Sequence, residues 1–203
     1  MKKIFLFILL IGYFGFSQND SIDINEYERV YIEVGFVKPL GKMANKFETS
    51  PSVGFWFRNR IVNDDYIDFG FNFFIPKKAR DVDFRYRDSI VKYKSEHFGI
   101  SIGTRFAKII SMSNQTRSFN LEWNTGIGLG LNFYEAPNEL AFEEKEFTSE
   151  VLTTFYISQG IKLNYKNIGF QCHYNFSPYD LFNKKINEKY GSQYLMFGLV
   201  YRQ

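Results

Sequence analysis

The chain is short of the features that hold most exported or membrane-helical proteins together. Cys172 is the only cysteine in 203 residues, so an internal disulfide cannot form. After residue 17, no stretch is continuously apolar enough to span a membrane as a helix. These absences exclude a disulfide scaffold and a helical membrane protein, and they leave a single domain that must be stabilised in another way.

Charge of one sign is also lacking. The net charge is +3, and it falls to +1 without Lys2 and Lys3. This balance gives no reason to expect a nucleic-acid partner. Aromatic residues, in contrast, make up 20% of the chain, and 24 of them are phenylalanine. So many aromatic side chains are difficult to bury in a small soluble domain, but they suit a surface that faces hydrocarbon.

The first residues have the pattern of an export signal. Lys2 and Lys3 precede the short apolar run Ile4–Phe16, and Gly15 and Ser17 occupy the −3 and −1 positions of a cleavage site. An uncleaved anchor is the alternative, but the run is short and has no stop-transfer flank. We therefore predict a signal peptide over residues 1–17, a polar periplasmic leader over residues 18–28 and a β-domain over residues 29–203.

The segment Phe119–Tyr134 shows the pattern that governs this domain. Its odd positions are apolar apart from Thr125, whereas its even positions are polar or glycine. Period 2 over this length predicts a β-strand with two unlike faces. Such a strand is long enough to cross a bilayer, which takes about 9–11 residues.

Seven further segments share the alternation, and none has the period of an amphipathic helix. The eight predicted strands are Arg29–Lys38, Pro51–Arg60, Tyr66–Ile75, Glu96–Ala107, Phe119–Tyr134, Val151–Tyr165, Ile168–Phe176 and Gln193–Arg202. Long connections follow the odd-numbered strands and short ones follow the second and sixth, while the fourth is followed by a longer link. This alternation is typical of an up-and-down outer-membrane barrel.

The apolar strand faces could meet either lipid or a protein core. A soluble sandwich or lipocalin-like barrel would carry charged side chains on its solvated faces. Here the polar faces hold mostly glycine, asparagine, serine and threonine, and the apolar faces hold almost no charge. We therefore predict an all-β fold, an eight-stranded antiparallel up-and-down transmembrane β-barrel in the outer membrane of a Gram-negative cell.

The chain resembles a known group of proteins. The signal peptide, the segment VGFVKPLGK, the glycine-containing strands and the C-terminal strand ending Leu199-Val200-Tyr201-Arg202 are similar to those of small outer-membrane β-barrel proteins of the OmpA-like or OmpX-like kind. The resemblance covers the whole mature chain. It implies the barrel architecture and gives little information on function.

The lumen is the candidate site. An eight-stranded barrel is just wide enough to be filled by side chains. Strand parity places three acids and three bases inside, together with both histidines: Glu33, Asp68, Glu122, Arg58, Arg105, Lys162, His97 and His173. Because buried charges must be paired, we predict a polar network that closes the lumen and excludes a wide pore.

The same residues give weak support for catalysis. His97 and His173 could lie near Ser101, Ser158 or Asp68, as a hydrolase or acyltransferase would need. No nucleophile motif accompanies them, so we expect no enzyme. The histidines fall on separate strands, and the acidic segment 135–150 lacks the oxygen spacing of a calcium loop, so we expect neither a metal nor another cofactor.

The predicted function is therefore structural or surface-interacting. The segment 135–150 has a net charge of −5 and the segment 77–94 a net charge of +4. We expect both to belong to loops at one rim of the barrel. We expect a monomer in outer-membrane lipid whose loops contact surface polysaccharide or another envelope protein. A transport or secretion accessory that binds a small amphiphile or a partner protein is the alternative, with a lipid-modifying enzyme after it.

Overall fold

The computed structural model describes residues 30–62, 65–75, 82–86, 89–93, 97–111, 119–137, 147–178 and 191–203. The predicted signal peptide (1–17) and leader (18–28) lie outside these ranges. Ten strands are described: β1 (Val30–Pro39), β2 (Ser50–Val62), β3 (Asp65–Phe74), β4 (Val82–Tyr86), β5 (Ser89–Tyr93), β6 (His97–Ser111), β7 (Phe119–Pro137), β8 (Phe147–Tyr165), β9 (Ile168–Phe176) and β10 (Gln193–Arg202). A 3₁₀ turn covers Gly41–Asn45.

Eight of these strands close into one antiparallel barrel. The order around the wall is β1-β2-β3-β6-β7-β8-β9-β10, and β10 pairs with β1 to close it. Every barrel strand therefore pairs with the barrel strand that follows it in the chain. The predicted fold class, an eight-stranded antiparallel up-and-down barrel, is confirmed.

The strand register defines the tilt of the wall. Directly paired residues can be followed from Glu33 to β8 in both directions around the barrel. The path through β2 ends at Thr154, and the path through β10 ends at Asn164. These two positions are ten residues apart, which is the stagger of the closed sheet. Such a stagger tilts the strands by roughly 35–45° from the barrel axis.

Two strands lie outside the barrel. The segment Lys77–Lys94, expected to be a loop, contains β4 and β5, which pair with each other as a small hairpin between β3 and β6. These strands were not predicted because they are short and the segment carries many charged residues. Four barrel strands are longer than expected, since β2 covers Ser50–Val62, β6 continues to Ser111, β7 to Pro137 and β8 begins at Phe147.

The two ends of the barrel differ. At the turn end lie Val30, Gln203 and the β2–β3, β6–β7 and β8–β9 connections; the last is a two-residue turn with Lys166 at positive φ. At the loop end lie the connections β1–β2, β3–β6, β7–β8 and β9–β10. Within the described ranges, no helix is long and apolar enough to cross a membrane.

Candidate functional site in the barrel lumen

Strand alternation places all six predicted charges on the inward face of the wall. Their relative exposure lies between 0% and 5%. They come from six different strands: Glu33 on β1, Arg58 on β2, Asp68 on β3, Arg105 on β6, Glu122 on β7 and Lys162 on β8. Five of them lie three or four residues from the turn end of their strand, and Arg105 lies six residues from it. The charges thus form one layer in the half of the lumen nearer the turn end.

Arg58 joins two of the acids. Its Nε and Nη2 donate to the two carboxylate oxygens of Asp68, at 2.6 and 2.8 Å. Asp68 is the residue directly opposite Arg58 on β3. Nη1 and Nη2 also donate to Glu122 Oε2 and Oε1, at 2.7 and 2.8 Å. The planar guanidinium therefore makes bidentate contacts with both carboxylates, the geometry in which arginine pairs most strongly.

Glu33 joins two of the bases. Its Oε1 accepts hydrogen bonds from Arg105 Nη1 at 2.7 Å and Lys162 Nζ at 2.9 Å, and its Oε2 accepts one from Arg105 Nη2 at 3.1 Å. Lys162 Nζ also lies 4.0 Å from Glu122 Oε1. This last contact connects the two groups into a single network.

The network alternates in sign along its whole length, in the order Asp68, Arg58, Glu122, Lys162, Glu33 and Arg105. Three of its contacts cross the lumen, because they join strands three places apart around the wall: Arg58 with Glu122, Arg105 with Glu33 and Lys162 with Glu33. Each charge has an opposite charge beside it, which is the condition for burying ions at tolerable cost.

Aromatic rings complete the layer and were not among the predicted site residues. The Arg105 guanidinium lies 3.5 Å from the centre of the Trp56 ring, and that of Arg58 lies 4.4 Å from Tyr31 and 4.8 Å from Tyr66. Cations placed over aromatic faces gain electrostatic stabilisation. Parity identifies Tyr31 and Trp56 as inward, but without a register it does not show which ring lies under which cation.

The two histidines have different positions. His173 lies in β9, is 1% exposed, and neither ring nitrogen has a hydrogen-bond partner in the described part of the chain. Its ring packs against Gly160, the residue opposite it on β8. His97 begins β6 and pairs with Tyr134, but its side chain lies outside the described structure. The geometry thus joins the six charges, places His173 nearby and leaves His97 undetermined.

Nearer the loop end, the lumen side chains that the structure describes are uncharged and include both polar and apolar residues. Trp56 Nε1 donates to Asn72 Oδ1, and Asn72 Nδ2 donates to Ser101 Oγ, both at 3.3 Å. Among the described residues, no group of three or more histidine, cysteine or acidic side chains has the arrangement of a metal site.

The fold and lumen together define a small β-barrel with an ion-paired interior. No family model and no curated protein sequence matches the chain significantly. Among solved structures, it is similar to Neisserial surface protein A, with 12% identity over 84% of this chain and 93% of that chain and a TM-score of 0.49. It is also similar to Ail of Yersinia pestis, an outer-membrane protein seen in a phospholipid nanodisc, with 15% identity over 87% and 100% of the two chains and a TM-score of 0.45. The first is named a surface protein and the second an outer-membrane protein, and at these identities the likeness concerns the fold alone.

Proposed function

We propose that the protein is a small, closed barrel of the outer membrane with a structural or surface-interaction role. The observation that carries this proposal is the inverted polarity of the wall. Among the described residues, 21 polar or charged and 10 apolar ones are buried, while 25 large apolar side chains are exposed, nearly all of them on the barrel wall. A water-soluble domain has the opposite distribution, because exposed apolar surface of this extent is unfavourable in water.

The exposed apolar side chains form a belt around the barrel. On β7 the outward residues run from Leu121 to Phe133. At about 3.3 Å per residue and the tilt of the strands, this segment spans roughly 30 Å along the barrel axis. An outer-membrane barrel needs an apolar band of about 25 Å. The belt is therefore tall enough for the hydrocarbon of a bilayer.

Charged and amphipathic side chains occur at the edges of this belt. Lys108 and Asp65 form an outward ion pair of 3.6 Å near the turn end, and Lys38 is exposed near the loop end. Tyr165 and Tyr201, which are 58% and 49% exposed, lie on the outward face near the turn end. Tyrosines at this level suit the interfacial girdle of a membrane barrel.

The charged layer supports a closed lumen rather than a wide porin. Its ion pairs cross the lumen of an eight-stranded barrel, and the interior of such a barrel is narrow enough to be filled by side chains. Removing one partner would leave an unpaired buried charge, so the pairs resist separation. We assign the network of Glu33, Arg58, Asp68, Arg105, Glu122 and Lys162 the role of this plug.

We propose no catalytic role for the lumen. His173 and the two serines considered with it, Ser101 and Ser158, are 1%, 5% and 2% exposed. A lipid or sugar substrate would have to open the barrel to reach them. Lipase or acyl-transfer activity that disappears in His173→Ala would contradict this assignment.

The partners proposed are outer-membrane lipid and, through the loops, surface polysaccharide or another envelope protein. The β3–β6 and β7–β8 connections leave the same end of the barrel. They carry the oppositely charged segments 77–94 and 135–150, the second of which extends into the ends of β7 and β8. Charge of both signs at one rim suits contacts with charged surface polymers.

Heat-modifiable gel mobility tests the central proposal. The outer-membrane fraction is run with and without boiling, and a folded barrel migrates differently from its boiled form because detergent does not unfold it in the cold. We expect such a shift, and we expect the protein to remain in the membrane after washing with high salt. Release of the protein into the soluble fraction would reject the membrane assignment.

A further inference from the structure

We propose that a polar stripe on the lipid-facing wall, formed by Thr104, Thr125 and Gln159, is the surface on which a second copy of this chain docks within the membrane. The inference rests on the membrane placement proposed above and replaces the monomer expected from the sequence. It names a homodimer whose interface lies on β6, β7 and β8.

The three residues are neighbours on adjacent strands. Thr125 on β7 is directly opposite Gln159 on β8. Thr104 on β6 is diagonal to Thr125, whose direct partner is Phe106. Gln159 is exposed and both threonines are half-buried. The outward face therefore carries one continuous polar stripe across three strands.

The stripe lies inside the apolar belt and not at its edge. On β8, Gln159 has Ile157 on its loop side and Ile161 on its turn side, which are 48% and 52% exposed. Phe155 and Leu163 continue the outward apolar face beyond them. Near the middle of four other strands, the outward residues are Val34, Phe55, Phe71 and Phe197.

The Gln159 amide is poorly satisfied by its own chain. Thr125 Oγ1 donates to the Ser158 carbonyl oxygen at 3.3 Å, whereas the described structure gives the Gln159 side chain no hydrogen bond. An amide at mid-belt has no water beside it, and an unpaired polar group in hydrocarbon is unfavourable. A partner surface that offers a donor and an acceptor at the same depth would remove that cost.

A second copy meets this requirement through its symmetry. Two barrels inserted in the same direction are related by a two-fold axis parallel to the membrane normal, so each residue meets its equivalents at its own depth. A glutamine amide has both donors and an acceptor, so Gln159 can pair with Gln159 of the partner subunit. The small threonines beside Ile127, which is 64% exposed, let the two walls approach closely.

Disulfide cross-linking in reconstituted vesicles tests the interface. With Cys172→Ser as background, Gln159→Cys places a thiol in the stripe. Val53→Cys is the matched control, because it faces lipid on β2, four strands away and opposite β8. On oxidation we expect Gln159→Cys to form a species of twice the chain mass, and Val53→Cys to remain single. Equal cross-linking of the two variants, or none at position 159, would overturn the dimer.

The control variant also separates this proposal from the proposed function. In intact vesicles, Val53→Cys should resist a water-soluble maleimide and react after denaturation. Protection without cross-linking at position 159 would overturn the dimer alone, whereas labelling of Val53→Cys in intact vesicles would overturn the membrane placement as well.

Substitution of the amide provides a second measurement. Energy transfer between labelled chains diluted in lipid should show about tenfold weaker association for Gln159→Leu. A hydrogen bond between chains within a membrane contributes an energy that corresponds to about this change in affinity. Gln159→Asn, which keeps an amide, should retain more association than Gln159→Leu, and Val53→Leu should match the wild type. Wild-type association of Gln159→Leu would contradict the proposal.

Discussion

Glu33 is the residue on which the charged layer depends most directly. Its carboxylate accepts hydrogen bonds from both Arg105 and Lys162, whereas Asp68 contacts Arg58 alone. With three acids and three bases, the layer has no spare anion to take its place. Loss of the Glu33 charge therefore leaves two buried cations competing for the remaining acids.

We predict that Glu33→Gln lowers the free energy of unfolding by about 3–5 kcal/mol, the cost of breaking a buried ion pair by removing one partner. Asp65→Asn is the matched control, because its partner Lys108 is 56% exposed and the pair is 3.6 Å long. That change should cost at most about 1 kcal/mol. Urea titration of both variants in lipid vesicles, followed by tryptophan fluorescence, measures the two free energies of unfolding. Equal losses in the two variants would show that the buried network contributes no more to stability than the exposed ion pair.

At the scale of the strands, a row of glycines lets large side chains lie along the lumen wall. Gly70, Gly103 and Gly128 are paired in register across β3, β6 and β7. Trp56 and Tyr156 stand at the two ends of this row, opposite Gly70 and Gly128. The indole ring lies against Gly70, and the phenol ring lies against Gly103 and Gly128. The wall thus has no side chains at the positions against which the aromatic rings pack.

We predict that Gly103→Ala destabilises the barrel by about 1–3 kcal/mol, because a β-carbon there would meet the Tyr156 hydroxyl, the Ile127 carbonyl oxygen and, at 2.9 Å, Gly128 Cα. Gly130→Ala is the control on the same wall, where the new carbon meets only Thr154, at 3.2 Å or more. Thermal loss of heat-modifiable mobility compares the two. Equal stability of both variants would reject the close packing.

The strands also show how far sequence alone carries the fold and the site. Period 2 identified all eight barrel strands and the inward position of each charge, since parity depends only on local geometry. It did not identify which charges meet. Arg58 reaches Glu122 across the lumen because closure of the barrel and the ten-residue stagger bring these positions on β2 and β7, three strands apart around the wall, to the same level. Neither the closure nor the stagger is encoded locally. The β4–β5 hairpin was missed because its strands have five residues each and carry charge.

At the scale of the whole molecule, the barrel is polar inside and apolar outside, and the two surfaces have separate tasks. We propose that the apolar outer face lies in lipid and that its polar stripe of Thr104, Thr125 and Gln159 is the surface for association. The ion pairs that cross the lumen connect strands three places apart around the wall, and we propose that they hold the wall together and close the interior.

We predict that the purified wild-type protein gives no large, sustained conductance steps in planar bilayers. The double variant Glu33→Ala/Arg105→Ala removes two large side chains and two cross-lumen contacts, those of Glu33 with Arg105 and with Lys162, yet it leaves two acids and two bases in the layer. Because the remaining charges balance, the barrel should still fold, while the space left at the level of Gly126 and Trp56 should admit small solutes.

Vesicle swelling in a small sugar measures this opening, with Asp65→Ala/Lys108→Ala as the charge-neutral control on the outer face. Swelling should rise above the wild-type rate only for the lumen variant. Large steps from the wild type would show that the charged layer does not close the barrel. If both double variants leave the rate unchanged, the plug must lie elsewhere in the lumen, where the rings of Trp56 and Tyr156 cross the glycine row.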